Sequence, residues 1–204
     1  MKSTREAILD GALSVMRSRG LARTTTKEIA RAAGCSEPLL YRHFNDKIDL
    51  FLAVLAERLP KVGVVVDGAE SLAGSGAVAG NLHLIVVEVT GFYRTVLPIG
   101  MSIFSDTDLL SRHRDAVRAH GTGPEIISDG VKGYLAAEQV RGRIDATAPI
   151  EGAAMALTGA CMHQAFLWCF HGGTADDGPP PTRVDAFAGG VVAAVLPSLR
   201  ATAD

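Results

Sequence analysis

The feature that most constrains this 204-residue chain is a pair of helix signals packed into about twenty residues near its start. Thr25 and Glu28 stand in the S/T-x-x-E arrangement, in which hydroxyl and carboxylate reciprocally satisfy orphaned backbone N–H groups at a helix start. Gly34 follows where a left-handed terminator is wanted. Two residues later Ser36 can cap again, with Pro38 in the first turn, where a missing N–H costs nothing. The spacing predicts a short helix with Ile29, Ala30 and Ala33 on its inner face, a tight glycine-containing turn, and a second short helix reaching about Phe44. Helices this short are marginal alone, so neighbours must hold them. Those neighbours are legible as well. Ser3 and Glu6 open an earlier helix with Ile8, Leu9, Ala12, Leu13 and Met16 at helical spacing, stopped at Gly20. Asp46 caps a later one with Leu50, Phe51, Val54, Leu55 and Leu59 as its stripe, ending near Pro60. Two short helices across a tight turn, preceded by a longer one, describe a helix-turn-helix.

Charge supports a division of labour. Residues 1–59 hold ten Lys/Arg against seven Asp/Glu, a surplus of three positive charges; the remainder holds ten against fifteen, a deficit of five. A basic part facing a polyanion and an acidic part with another task fit that asymmetry. The second short helix presents Glu37, Tyr41, Arg42 and His43, with Leu39, Leu40 and Phe44 available to hold it on a core. Polar side chains at such a helix start can meet base edges, while N–H groups at neighbouring helix starts, where Thr25, Thr26 and Lys47 sit, can meet phosphates. Glu37 would repel phosphate, leaving three roles: accepting from a cytosine amino group, stabilising the helix N-terminus, or pointing at solvent.

The run TTTKEIARAAGCSEPLLYRHFNDKIDLFLAVL, residues 24–55, with TREAILDGALSVMRSRG before it, resembles the DNA-binding domain of the TetR family of bacterial transcriptional regulators. The likeness covers about residues 2–60: a Thr-Thr start, Ile-Ala, Ala-Gly, a Ser two residues on, Leu-Tyr-x-His-Phe, and a Lys three residues after the Phe. Pro38 stands where family members often have Gly, and Cys35 where Val is common. The resemblance implies an all-α chain: a helix-turn-helix domain at 1–60, whose fourth helix leads into a helical ligand-binding and dimerisation domain at 61–204. It implies a homodimer on a palindromic double-stranded DNA operator, released by a small apolar effector; ligand-independent regulation, activation and, further off, an enzyme are the alternatives. By position, Thr25, Tyr41, His43 and Lys47 would contact phosphates, Ser36, Glu37, Leu39 and Arg42 would lie nearest to bases, and Thr26 and Lys27 complete the DNA-facing set.

Beyond Pro60, residues 67–80 (DGAESLAGSGAVAG) read as a flexible connection leading into a helix. The run LHLIVVEVTGFY at 82–93 has the β-branched content of a strand, but is assigned as helix because the family's second domain is all-helical. Residues 106–119 and 124–140 read as helices, the latter ending at Gly142; Pro149 opens a long one to about His171, and Val184–Arg200 forms the last. In the long helix Gly152, Ala156, Gly159 and Ala160 are placed along one side, and Met155, Met162, Phe166 and Cys169 along another. The small residues would admit a partner helix, as the last two helices do in the family's dimers. Phe92, Tyr93, Met101, Phe104, Met155, Met162 and Phe166 are the candidate effector lining.

Other classes fit less well. Three cysteines (Cys35, Cys161, Cys169) without a C-x-x-C pair indicate neither a disulfide framework nor a zinc finger. The series Cys161, His163, Cys169, His171 cannot converge on one ion from a single helix, so no metal and no cofactor is expected. No phosphate-binding glycine loop, nucleophile elbow or H-E-x-x-H appears. Gly152–Phe170 carries no charge, but acidic flanks (Glu151, Asp176, Asp177) suit a buried helix rather than a membrane span. Charges at Glu6, Asp10 and Arg17 interrupt any export signal, so a cytoplasmic protein is expected.

Overall fold

The computed structural model describes residues 2–20, 23–58, 69–119, 123–173 and 181–200. Helices dominate: α1 (Thr4–Arg19), α2 (Thr26–Ala32), α3 (Glu37–Tyr41), α4 (Lys47–Arg58), α5 (Ala69–Leu72), α6 (Val78–Gly100), α7 (Thr107–Ala119), α8 (Ile126–Val140), α9 (Ile150–Phe170) and α10 (Pro181–Val195). Short 3-10 turns occupy Met101–Ser105 and Leu196–Leu199, and no strand occurs among the described residues. Contacts divide the chain into two compact units, residues 1–60 with 95–122, and residues 61–94 with 123–204. The expected cut after Pro60 coincides with one of these boundaries, and the stretch 95–122 groups with residues 1–60. The last turn of α6, the 3-10 turn and α7 belong to the first unit because Ile99, Ile103 and Leu109 are buried in its core.

In the first unit both capping boxes form: Ser3 with Glu6 at α1, and Thr25 with Glu28 at α2. Ile8, Leu9, Ala12 and Met16 of α1, Ile29 and Ala30 of α2, Leu40 of α3, Phe44, and Leu50, Phe51 and Val54 of α4 make one core. Gly11 lets α1 approach the end of α2, since a Cβ there would lie 3.0 Å from the Ala33 backbone nitrogen. Gly34, at φ +67°, makes the turn between α2 and α3. Its N–H bonds Arg31 and that of Cys35 bonds Ala30, closing the orphaned carbonyls of α2, and Cys35 packs half-buried against the core as a small apolar group. Ion pairs Arg58–Asp10 (2.7 Å) and Arg5–Glu57 (2.5 Å) brace α4 on α1.

The second unit is built on α6, where Leu82, Ile85, Val86 and Val89 are buried at i, i+3, i+4 and i+7. Against them pack Val131, Tyr134 and Leu135 of α8, Ala153, Ala154, Leu157 and Cys161 of α9, and Ala188 and Val192 of α10. Of the glycine-rich 67–80 segment, residues 67 and 68 lie outside the described residues, and 69–80 are more ordered than a bare connection: they contain α5 and a turn held by Asn81, whose amide donates to Leu72 and Ser75 carbonyls. Buried Glu138 receives the Gly74 N–H (3.3 Å) and pairs with Arg143. The last helix begins at Pro181 rather than Val184 and gives way to a 3-10 turn at Leu196.

Two helical stretches, 78–105 and 150–170, are long and apolar enough to cross a membrane by length and composition. In α9 that composition has a packing role, with one face in the core just described. Its opposite face is one exposed surface, apolar but for His163 in its middle. At 100° per residue, Met155, Met162 and Phe166 lie within about 80° of Gly152 and Gly159, and Gly152, Met155, Ala156, Gly159, Met162, Phe166 and Phe170 are all exposed. The two-sided arrangement expected from the sequence is corrected accordingly. On α10, Ala186, Gly189, Gly190, Ala193 and Ala194 are exposed as well.

Candidate nucleic-acid interface

The surface around α3 grows from its anchoring. Leu40 is fully buried and Phe44 nearly so, which leaves Ser36, Pro38, Tyr41, Arg42 and His43 facing solvent. Ser36 accepts from the Leu39 N–H (3.3 Å) and Pro38 sits in the first turn, so this end is capped as its sequence requires. Thr25 Oγ1 is committed to the α2 cap. Arg5 lies over the Phe44 ring at 5.4 Å, fixing the turn after α3 against α1.

Two hydrogen bonds meeting at Thr26 set α2 against α3. Thr26 Oγ1 donates to Glu37 Oε1 (2.5 Å) and lies 3.2 Å from the Tyr41 hydroxyl. Glu37 stands in the first turn of α3, where its charge suits the helix N-terminus as one of the three roles read from sequence has it, and its bond to Thr26 adds a further one: it aligns the two helices of the motif. Leu39 is half-buried rather than freely presented. Thr25, Lys27, Arg42 and His43 are exposed, and neither Lys27 nor Arg42 forms an ion pair among the described residues. Arg19 pairs with Glu28 (2.5 Å), and the bonds from Thr25 hold that carboxyl below the usual range.

Lys47 occupies a more enclosed position. At the first turn of α4 it is half-buried in the wall of a cleft of about 260 Å³ that includes Phe51, Ser102, Ser105 and Asp106. Desolvation lowers its pKa, opposed by the Asp106 charge. Beside it Asp46 accepts from the Asp49 N–H (2.8 Å) and from Arg112 of α7 (2.7 Å), so the start of α4 is tied to α7. No local signal marks a pair 66 residues apart. Burial opposes ionisation of Asp46, but the Arg112 bond and the cap outweigh it and lower its pKa.

Of the seven residues expected around an effector, two lie in the first unit and five in the second. Met101 and Phe104 belong to the first unit and are exposed, Phe104 at 76%. In the second unit Met155 (65%), Met162 and Phe166 face outward, and only Phe92 and Tyr93 pack half-buried on the core. Volume and apolarity named them; their facing was set by α9 turning its methionines away from α6.

All-helical architecture and a capped pair of short helices across a left-handed glycine define a helix-turn-helix protein. Residues 8–54 match the family model of the bacterial regulatory proteins, tetR family. The uncharacterized HTH-type transcriptional regulator TtgW of Pseudomonas putida is 44% identical over 57 residues, 28% of this chain and 42% of that protein. The HTH-type transcriptional repressor BepR of Brucella suis is 39% identical over 67 residues, 32% of each chain. These matches thus span less than half of the relatives' length. Solved structures extend the likeness of fold: a candidate TetR-family regulator from Mesorhizobium loti superimposes with TM-score 0.76 at 21% identity over 95% of both chains. The regulator FadR of Bacillus subtilis, solved with stearoyl-CoA, gives 0.65 at 15% identity over 96% of this chain and 99% of that one.

Proposed function

We propose that the protein is a sequence-specific, homodimeric regulator of transcription that represses from a palindromic operator and is released by a small effector bound in its second unit. The observation that carries this reading is the α2–α3 pair: its outer side presents Tyr41, Arg42, His43 and Lys27 while its inner side is locked by Leu40, Phe44 and the Thr26–Glu37 bond. Tyr41, His43, Lys47 and the start of α2 at Thr25 and Thr26, through the backbone N–H groups of its first turn rather than the two committed hydroxyls, are assigned to phosphates, and Ser36, Arg42 and the edge of Leu39 to base edges, the division of labour that duplex recognition requires. Glu37 acts through Thr26 and Tyr41. Dimerisation is assigned to the exposed apolar faces of α9 and α10, whose small residues allow close helix approach and whose two-fold use makes them self-complementary. A protein of this kind works in the cytoplasm, beside DNA, and needs neither catalysis nor cofactor.

Effector control follows from geometry of spacing. Two half-sites are read about one helical turn or a multiple apart, so displacing two recognition helices by a few ångströms costs affinity. A near-complete switch needs an effector that prefers the DNA-incompetent state by about 5.5 kcal/mol. The start of α4, tied to α7 through Asp46 and Arg112, is the element assigned to carry that change. The sign of regulation rests on the resemblance to repressors such as BepR. Selection from a random duplex pool tests the reading: enrichment of one pseudo-palindrome, with affinity falling steeply as salt rises, is the expected result, and no enrichment at low salt overturns it.

A further inference from the structure

Between α6, α9 and α10 of the second unit lies a cavity of about 40 Å³ walled by Thr90, Arg94, Gln164, Trp168 and Arg183. Roughly 10–15 Å³ of such space admits one water, so the cavity accepts a group of two or three heavy atoms. Its polar lining is unbalanced. Arg94 lies flat on the Trp168 indole, its guanidinium carbon 4.3 Å from the ring, and this stacking leaves its hydrogen-bonding edge to look elsewhere. Both Arg94 Nε and Trp168 Nε1 are buried without an acceptor among the described residues. The Thr90 hydroxyl is already spent as a donor on the Val86 carbonyl at 2.7 Å. Arg183 brings a second cation, and neither arginine forms an ion pair among the described residues. Trp168 is held in place from behind: α9 ends in a glycine turn whose Gly173 N–H returns to the Trp168 carbonyl (3.0 Å), and a Cβ on Gly173 would fall 2.2 Å from the indole.

Buried donors left without acceptors are costly, by enough that native structures rarely keep them. Two such N–H groups, one of them on the Arg94 guanidinium, with the exposed Arg183 as a second cation on the wall, call for an acceptor that carries negative charge. Water would accept from both donors, yet it brings two protons of its own into a cluster already dominated by donors. A carboxylate brings none, matches the planar fork of arginine and has the size of the space. We propose that this cavity is a binding site for the carboxylate of an organic acid, either a small acid or the head group of a longer one. Desolvation already lowers the Arg94 pKa, an expense that a bound anion offsets. The assignment deepens the effector reading by adding a charged group to a ligand otherwise expected to be apolar, and it rests on that reading only for its regulatory meaning.

The chain contains one tryptophan, and it is Trp168, so intrinsic fluorescence reports the cavity directly. The whole chain is titrated at constant ionic strength with sodium acetate, sodium octanoate, inorganic phosphate and the neutral analogue acetamide. The expected result is a saturable change with one or both acids and none with acetamide. Acetate alone identifies a small acid as the occupant, and tighter octanoate binding identifies a head group. Arg94→Gln is expected to weaken the acid roughly ten- to a hundredfold, the worth of a charge-assisted hydrogen bond. Gln164→Glu, which places a carboxylate on the cavity wall without touching either arginine, is expected to abolish binding, and covers the case in which the Arg94 variant folds poorly. The assignment is overturned if neither acid gives a saturable change, if acetamide or phosphate alone does so, or if the folded Gln164→Glu protein binds acid unchanged. Operator affinity measured with the same acids separates the two readings: acid that fills the cavity without altering DNA binding supports the site and overturns only its effector role.

Discussion

Replacing Gly11 by alanine should destabilise the first unit, although alanine is the better helix former. In the middle of α1 the exchange gains about 0.5–1 kcal/mol from reduced backbone freedom in the unfolded chain. Against this, the new Cβ would stand 3.0 Å from Ala33 N and 3.3 Å from Ala33 Cα and Ala32 C, all backbone atoms that no rotamer change can move aside. Relief requires α1 and the end of α2 to separate by a few tenths of an ångström across a core holding Ile8, Ala12, Ile29 and Ala30. Overpacking of this kind costs about 1–3 kcal/mol, so the net effect is a loss of about 0–2.5 kcal/mol. Gly133 of α8 supplies the control. Nothing lies within 4 Å of a Cβ there, so Gly133→Ala should stabilise by about 0.5–1 kcal/mol. Urea unfolding followed by far-ultraviolet circular dichroism measures both. Because Ala33 and Gly34 position α3, the Gly11 variant should also lose DNA affinity. Two variants stabilised to the same extent, with DNA binding intact, would refute the close-approach argument.

Further outcomes follow from the same geometry. Lys47→Ala should weaken binding to every duplex alike and lower the salt slope, whereas Arg42→Ala should relax preference at one position per half-site; equal effects of both on all sequences would place Arg42 on the backbone. Gly159→Glu sets a charge in the exposed apolar face of α9 and should give monomers without operator affinity, by sedimentation and mobility shift. A dimer that persists in this variant removes that face from the interface. Bonds from Lys2 and Arg58 hold Asp10, and the bond from Arg5 holds Glu57, below their ordinary pKa values. A depressed folded pKa contributes stability above the unfolded value and loses it as pH falls through the folded one. The first unit should therefore weaken below about pH 4, with a shallower acid slope in Arg58→Gln; both partners are partly exposed, so the effect is small.

Local signals carried the helix-turn-helix because its chemistry is local. Each cap, the Gly34 turn and the Leu40–Phe44 anchor lie within a few residues of what they act on. The 82–93 run shows a conflict between signals: β-branched content argues for strand, while burial at 82, 85, 86 and 89 follows helical spacing, and packing decides for helix. Pairings distant in the chain left no trace, among them Asp46 with Arg112 and the joining of residues 95–122 to the first core. The aligning role of Glu37 was hidden for a related reason. Its partner Thr26 lies eleven residues back across a turn, at a distance that only the folded turn sets. The facing of the candidate effector residues was not legible, because size and apolarity select equally for cores, interfaces and pockets. Their orientation depends on which face of α9 the rest of the unit covers.

The central claim is that two copies of α3 read two half-sites of one duplex. Hydroxyl-radical footprinting of the protein on the duplex enriched from a random pool, with Arg42→Ala beside the wild type, tests it most directly. The account predicts two protected patches on one face of the DNA, centred about one helical turn or a multiple apart, with Arg42→Ala losing preference at symmetric positions in both. A single protected patch, or protection spread evenly along the duplex and indifferent to Arg42, would contradict it.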